Sequence, residues 1–346
     1  MTTPEIVRAI EACDYFRRSP WRMGGERGHK EWLHFCVGGE GFDLLVNLSI
    51  VDDLRPGAEP GSEIARLCVL SHDERWRGAI TRLDPASVRV SGGAIAADLG
   101  ESGIRFVDGA YLLRVRAPEA GVSADLRLSP VTFPSLVNNV RGLDGRPIHW
   151  AVVPRSAASG TVRIGEVTHR LDRTPAYHDH NWGSFSWGNN FAWEWGYGLP
   201  ASQENPFSLV FARLNSRGHT VALMQLFFVW RGDRLLRTFR DHDIETRREG
   251  LLRCEKPLVL PPVMALAAPG TATDVPARLL VRAAAGGDVI EAVFESADVA
   301  QVMLPNDRDL GVTVINEVAG TLTVDGRVAG ERIRFRNRVV FEVLSA

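Results

Sequence analysis

Residues 42–51 place Leu44, Val46, Leu48 and Ile50 at every second position. Successive side chains of an extended backbone point to opposite faces, so these four share one face of a strand. Such a run buries that face only by pairing into a sheet that packs on another layer. Similar runs recur at 64–70, 86–91, 103–107, 111–116, 123–128, 148–153 and 161–169. Beyond residue 190 they return at 191–198, 207–214, 219–230, 234–240, 277–283, 288–296, 312–316, 319–324 and 329–343. Asp108-Gly109, Gly232-Asp233 and Asp325-Gly326 read as hairpin turns, because these residues tolerate the positive φ that tight turns require. Residues 3–16 differ. Thr3 can cap a helix, Pro4 suits its first position, and Ile6, Ala9, Ile10 and Cys13 recur at helical spacing. Residues 255–275, rich in Pro, Ala and Leu without a period, read as a loop or a short helix. The expected fold class is all-β, a sandwich or antiparallel barrel. Two strand-rich halves predict two β-barrel domains, 1–187 and 188–346, with the boundary near 185–190.

Composition narrows the function. The 346 residues are 45% apolar and 24% charged, with a net charge of -2. That balance suits a globular protein and lacks the basic stripe of a nucleic-acid binder. Of the 40 basic residues only Lys30 and Lys256 are lysine, and the arginines are scattered, which reads as a genomic bias. Cys13, Cys36, Cys68 and Cys254 lie far apart with no CxxC spacing, so they read as buried reduced thiols. No apolar stretch is long enough for a transmembrane helix, and the N-terminus lacks a secretory pattern. A cytoplasmic protein is expected.

The chemistry concentrates in Tyr177-His178-Asp179-His180-Asn181-Trp182-Gly183, followed by Trp187, Trp193 and Trp195. If this stretch is extended, Tyr177, Asp179 and Asn181 share one face. His178, His180 and Trp182 take the other. Two readings follow. The His178-x-His180 spacing could ligate zinc, with His149 or Asp179 as a third ligand. Alternatively, Asp179 is a general acid, because desolvation among indoles favours a neutral carboxyl that can donate a proton. Pairing of Asp179 with one of the many arginines would instead lower its pKa. No nucleophile elbow, Walker loop or dinucleotide fingerprint is present. Trp193, Trp195 and Tyr197 alternate with Glu194 and Gly196. They make either an aromatic wall for a flat or polyene ligand or a domain interface. His149-Trp150 lies on an upstream strand and could reach the same site. Glu31, which precedes an apolar run, reads as a solvated strand end.

At these residues the chain resembles the carotenoid 1,2-hydratase (hydroxyneurosporene synthase) family. That family is part of a wider group of paired lipocalin-like domains that includes decalin-forming Diels–Alderases. Tyr177-x-Asp179 resembles the hydratase Tyr-x-Asp pair, and His149 and Trp150 resemble its upstream His and Trp. Tyr177-His178-Asp179-x-Asn181-Trp182-Gly183 resembles the Diels–Alderase motif. Glu31-Trp32-Leu33-His34-Phe35 resembles the acid–aromatic signature near the start of the first domain. The resemblance spans about residues 25–345. It implies two consecutive calycin-type barrels and an apolar ligand cavity.

It also implies an enzyme that protonates an alkene of an isoprenoid or polyene with Asp179 and quenches the cation with water. Tyr177 would be hydrogen-bonded to the acid, and His149 would position the acid or the water. Trp150, His178, His180, Asn181, Trp182, Trp193 and Trp195 would bind the substrate. A cyclase that shapes a polyene and a carrier of an apolar ligand are the alternatives. No cofactor, metal or nucleic acid is expected. Transient contact with a membrane surface, and the oligomeric state, are left open.

Overall fold

The computed structural model describes residues 3–17, 19, 25–54, 57–59, 61–141, 145–187, 191–201, 204–267, 274–307 and 309–345. The chain divides into two compact units. One comprises Met1–Ser71 and Arg77–Ser186, the other His72–Trp76 and Trp187–Ala346. Each is one large curled β-sheet, so the fold is the expected pair of consecutive lipocalin-like antiparallel β-barrels with a short N-terminal helix.

The helix spans Pro4–Cys13. Thr3 Oγ1 accepts the Ile6 N–H at 3.3 Å, satisfying one of the donors a helix start leaves open. Ile6 and Ile10, four apart and therefore on one face, are buried in the first core.

Among the described residues the sheet of the first unit has twelve strands. From one edge they run Trp76–Arg82, Glu63–His72, Phe42–Asp52, His29–Gly39 and Val167–Ser184. They continue through Pro147–Ile164, Val122–Pro130, Ala110–Ala117, Ser102–Val107, Ala96–Leu99 and Val88–Val90. Ser135–Arg141 pairs off this path with Pro147–Ile164. Most neighbours are close in sequence. The pairing of His29–Gly39 with Val167–Ser184 is the long-range one, and it joins the start of the unit to its end. Leu44, Val46, Leu48 and Ile50 are all buried inside, against Leu33, Phe35 and Val37. Burial of each such side chain contributes about 1.5–3 kcal/mol.

The second sheet has ten strands among the described residues. The path runs Arg234–Arg240, Ala222–Arg231, Phe207–Ser216, Phe191–Gly198, Glu331–Ser345, Val312–Val328, Asp288–Pro305, Arg278–Ala285 and Ile244–Glu249. Phe207, Phe211, Phe227, Phe239, Phe294 and Phe341 fill its interior. Among the described residues, pairing is antiparallel except for Leu258–Leu260, which runs parallel to Asp288–Pro305.

Several local expectations shift. The Asp108-Gly109 turn is present, both residues having positive φ, and Gly232 turns as expected. Asp325-Gly326 is not a turn. It lies within Val312–Val328, and the chain reverses at Ala329-Gly330, with φ of 50° and 80°. Gly326 has a different purpose: a Cβ there would sit 2.5 Å from the Val289 carbonyl oxygen. The residue permits close strand approach, and the long ladder overrides its turn propensity. The runs at 312–316 and 319–324 therefore merge. The run at 161–169 is instead broken by a turn at Gly165, between Pro147–Ile164 and Val167–Ser184.

In the 255–275 region a short strand, Leu258–Leu260, precedes a four-residue helix, Met264–Ala267, and 268–273 lie outside the described residues. Of the expected boundary, 188–190 also lie outside them. All four cysteines are free thiols, but only Cys36 is fully buried. Among the described residues no helix is long and apolar enough to cross a membrane.

Candidate active site

The long-range pairing builds the site. His29–Gly39 meets Val167–Ser184 with Leu33 opposite His180, His34 opposite Asp179 and Phe35 opposite His178. On the other side Val152 faces Asp179, Trp150 faces Asn181 and His149 faces Trp182. Directly opposed residues of paired strands share a face. Leu33 and Phe35 belong to the core, so His178 and His180 point into the barrel. Tyr177, Asp179 and Asn181 point outward, together with His34, Cys36 and Trp150. Gly183 ends the motif because a Cβ there would lie 2.2 Å from the Pro147 carbonyl oxygen. The neighbouring strand passes too close for any side chain.

On the outward face Asp179 is the centre. Its carboxyl is buried, with 4% exposure. The Tyr177 hydroxyl donates to Oδ2 at 2.7 Å, and the Asn181 amide donates to Oδ1 at 2.9 Å. The Trp150 side chain donates as well. Burial pushes the Asp179 pKa up to about 6. The Tyr177 and Trp150 hydrogen bonds and the charges of His178 and His180 oppose that rise without cancelling it. His34 is buried beside it, with Nε2 3.0 Å from the Cys36 sulfur. Burial, reinforced by the charge of His178, pushes the His34 pKa down to about 3. A neutral imidazole and a readily protonated carboxyl therefore occupy neighbouring positions near pH 6.

The inward face is a buried ionic cluster. Asp14, just past the helix, accepts from His178 Nε2 at 2.9 Å, from His180 Nδ1 at 2.8 Å and from the Tyr111 hydroxyl at 2.5 Å. His178 Nδ1 donates to the His34 carbonyl at 2.9 Å. His180 Nε2 donates to Glu31 Oε1 at 2.9 Å. Glu31 also takes the Arg17 backbone N–H at 2.9 Å. Burial disfavours the His180 charge, yet its bonds to Asp14 and Glu31 prevail and raise its pKa to about 9. Burial likewise opposes ionisation of Asp14, and the two imidazoles override it, holding the carboxyl well below its usual range. Glu31 behaves in the same way through its bonds to His180 and His29. It is 2% exposed, so the expectation of a solvated strand end is corrected. The reason is that its partner His180 arrives from 149 residues away.

This arrangement weighs against the zinc reading at these residues. Both nitrogens of His178 and of His180 are committed to protein oxygens, which leaves neither a lone pair for a metal. The proposed third ligands are elsewhere. Asp179 is on the opposite face. His149 is half-buried, stacks on Trp182 with ring centroids 5.4 Å apart, and accepts the Asn139 backbone N–H at 3.2 Å. Burial and then the Arg17 charge lower the His149 pKa. Trp182 also carries the Arg17 guanidinium, 3.4 Å from its ring centroid. The strand pleat thus exchanges the two upstream residues: Trp150 reaches Asp179 and His149 does not.

Trp193 and Trp195 belong to the second unit. With Tyr197 they occupy one face of Phe191–Gly198, opposite Glu194 and Gly196. Trp195 and Tyr197 are 5.6 Å apart, and the Trp193 indole donates to the Glu342 carboxylate. Glu194 is buried with Arg213, Asn215 and His219.

Sequence reasoning overlooked Asp14 and Tyr111, named His34 only within a signature and without a role, and read Glu31 as a strand end. Alternation along 29–39 was a usable signal for His34, since it shares a face with Trp32 and Cys36. Nothing local marks Asp14, whose partners lie 164 and 166 residues away.

No family model matches the sequence, and no curated protein does either. Solved structures do match. A protein described as a candidate AttH from Nitrosomonas europaea has a TM-score of 0.60 and 14% identity, covering 94% of this chain and 95% of that one. Kievitone hydratase from Nectria haematococca has a TM-score of 0.58 and 11% identity, covering 92% of this chain and 89% of that one. The chain has the fold of these paired lipocalin-like β-barrel proteins.

Proposed function

We propose that the protein is a hydratase-type lyase that protonates an alkene of an apolar isoprenoid or polyene through Asp179. The observation that carries this reading is the Asp179 site itself. It is a buried carboxyl, raised to about 6, whose orientation is set by Tyr177, Asn181 and Trp150. Such a group is a competent acid near neutral pH. Its fold is shared with a hydratase, which agrees with the reading at the level of fold.

In the proposed reaction the alkene π electrons take the Asp179 proton and form a C–H bond. The adjacent, more substituted carbon becomes the cation. The Trp150 ring favours positive charge nearby through its quadrupole. Water adds to that carbon and its surplus proton returns to the Asp179 carboxylate. Alkene and water are consumed, an alcohol forms, and the acid is restored. With a group of pKa about 6 as the acid, kcat/KM is expected to fall about tenfold per pH unit above pH 6. A profile that rises through pH 6 would instead assign Asp179 as a base.

One feature favours a second reading. Three donors aimed at the carboxyl keep it largely ionised above pH 6, where it could orient a polyene for cyclisation without giving up a proton. Incubation with a linear carotenoid in deuterated water, read by mass spectrometry, separates the two. Hydration adds water and one carbon-bound deuterium. Cycloaddition adds neither. Bound but unchanged ligand would make the protein a carrier.

A further inference from the structure

We propose that Asp14 is a positioning residue for Asp179, acting through His178 and His180; this deepens the acid reading and rests on it. The two imidazoles flank Asp179 in sequence and leave the strand on its other face. Asp14 takes one of them on each carboxylate oxygen, at 2.9 and 2.8 Å. A single rigid group therefore sets the separation of the two rings. The ring separation in turn sets the local pleat at residue 179 and the direction of its carboxyl.

Asp14 is itself held from outside the strand. Its N–H donates to the Ile10 carbonyl at 2.8 Å, closing a helix whose Ile6 and Ile10 are sunk in the core. The Tyr111 hydroxyl grips it from a third segment. The sheet pairs Asp179 with His34 on one side and with Val152 on the other. Register with Pro147–Ile164 is regular through Val152–Asp179 and Val153–His178, then slips before it resumes at Ser156–Ala176. Backbone pairing on that side lapses at Tyr177, two residues before the acid, so side-chain anchors there add to the positioning that the ladder gives. Without Asp14, His178 keeps the His34 carbonyl and His180 keeps Glu31. Each ring would then hang from one anchor, and their spacing would no longer be fixed.

The test combines a spectroscopic readout with turnover. Infrared difference spectra of the 13C-aspartate-labelled protein, taken at pH 5 against Asp179→Asn, isolate the Asp179 carboxyl stretch. The native protein should give one narrow band. Asp14→Ala should broaden and displace it, and Asp14→Asn and Tyr111→Phe, which preserve shape, should do so less. With a linear carotenoid as the probe substrate, kcat of Asp14→Ala should fall about 100-fold, with KM within about threefold. An unchanged Asp179 band in folded Asp14→Asn and Tyr111→Phe would overturn the proposal. So would unchanged kcat in folded Asp14→Ala. If the native protein turns nothing over, the acid reading fails, and the infrared comparison still decides whether Asp14 positions Asp179.

Discussion

Asp179→Asn is expected to lower turnover about 1000-fold while leaving the fold intact, which is the scale of a lost general acid. The amide has nearly the shape of the carboxyl it replaces and no acidic proton. The Tyr177 hydroxyl can still donate to its oxygen, and the Asn181 amide can turn over to accept from the new NH2, so binding of an apolar substrate should change little. Single-turnover rates, with circular dichroism to verify folding, would measure the effect. Loss of the group also removes a buried ionisable carboxyl, so the variant should be no less stable than the native protein above pH 6. Turnover within tenfold of native would remove Asp179 from the acid role and favour the cyclase or carrier reading.

The largest stability effect is expected at His180. It is fully buried between Asp14 and Glu31, and both depend on it. His180→Leu would leave two carboxylates in the interior with reduced compensation. Removing one member of a buried charge cluster costs about 3–5 kcal/mol. The same group makes native stability depend on pH in a defined direction. Its pKa rises from an ordinary 6.5 to about 9 on folding. A raised pKa contributes stability that is fully present below 6.5 and is lost as pH climbs through about 9. The amount is about 3 kcal/mol. Asp14 and Glu31, whose values are lowered, contribute above the ordinary carboxyl range and lose that contribution as acid protonates them. Urea unfolding at pH 6, 8 and 9.5 should show the alkaline loss in the native protein and a flat response in His180→Leu. Equal slopes in both would mean that His180 is not held as a cation.

Much of the framework was legible because β-structure leaves a local, period-two signature. The core face of 42–51 could be read residue by residue, and so could the division of the central motif into Tyr177, Asp179 and Asn181 against His178, His180 and Trp182. Turns were less legible. Asp108-Gly109 behaves as its residue types suggest, whereas Asp325-Gly326 is absorbed into a strand, because a ladder of many hydrogen bonds outweighs one dipeptide. The adjacent pair His149-Trp150 shows the limit at the site. The sequence offers both to Asp179, but a strand can present only one of two consecutive residues to a given face, and the register with Val167–Ser184 selects Trp150.

Sequence alone therefore determined the fold class, the two-domain plan and the sides of the strand on which the motif's side chains lie. These depend on alternation between neighbours. Only the tertiary structure decided what each side meets: Asp14, Glu31 and Tyr111 inside, His34 and Trp150 outside. It also decided, through those encounters, that His180 is held as a cation and that Asp179 stands near pH 6. Burial and charge partners set a pKa, and those of His180, namely Asp14 and Glu31, come from segments more than 100 residues away, whose meeting no local pattern encodes.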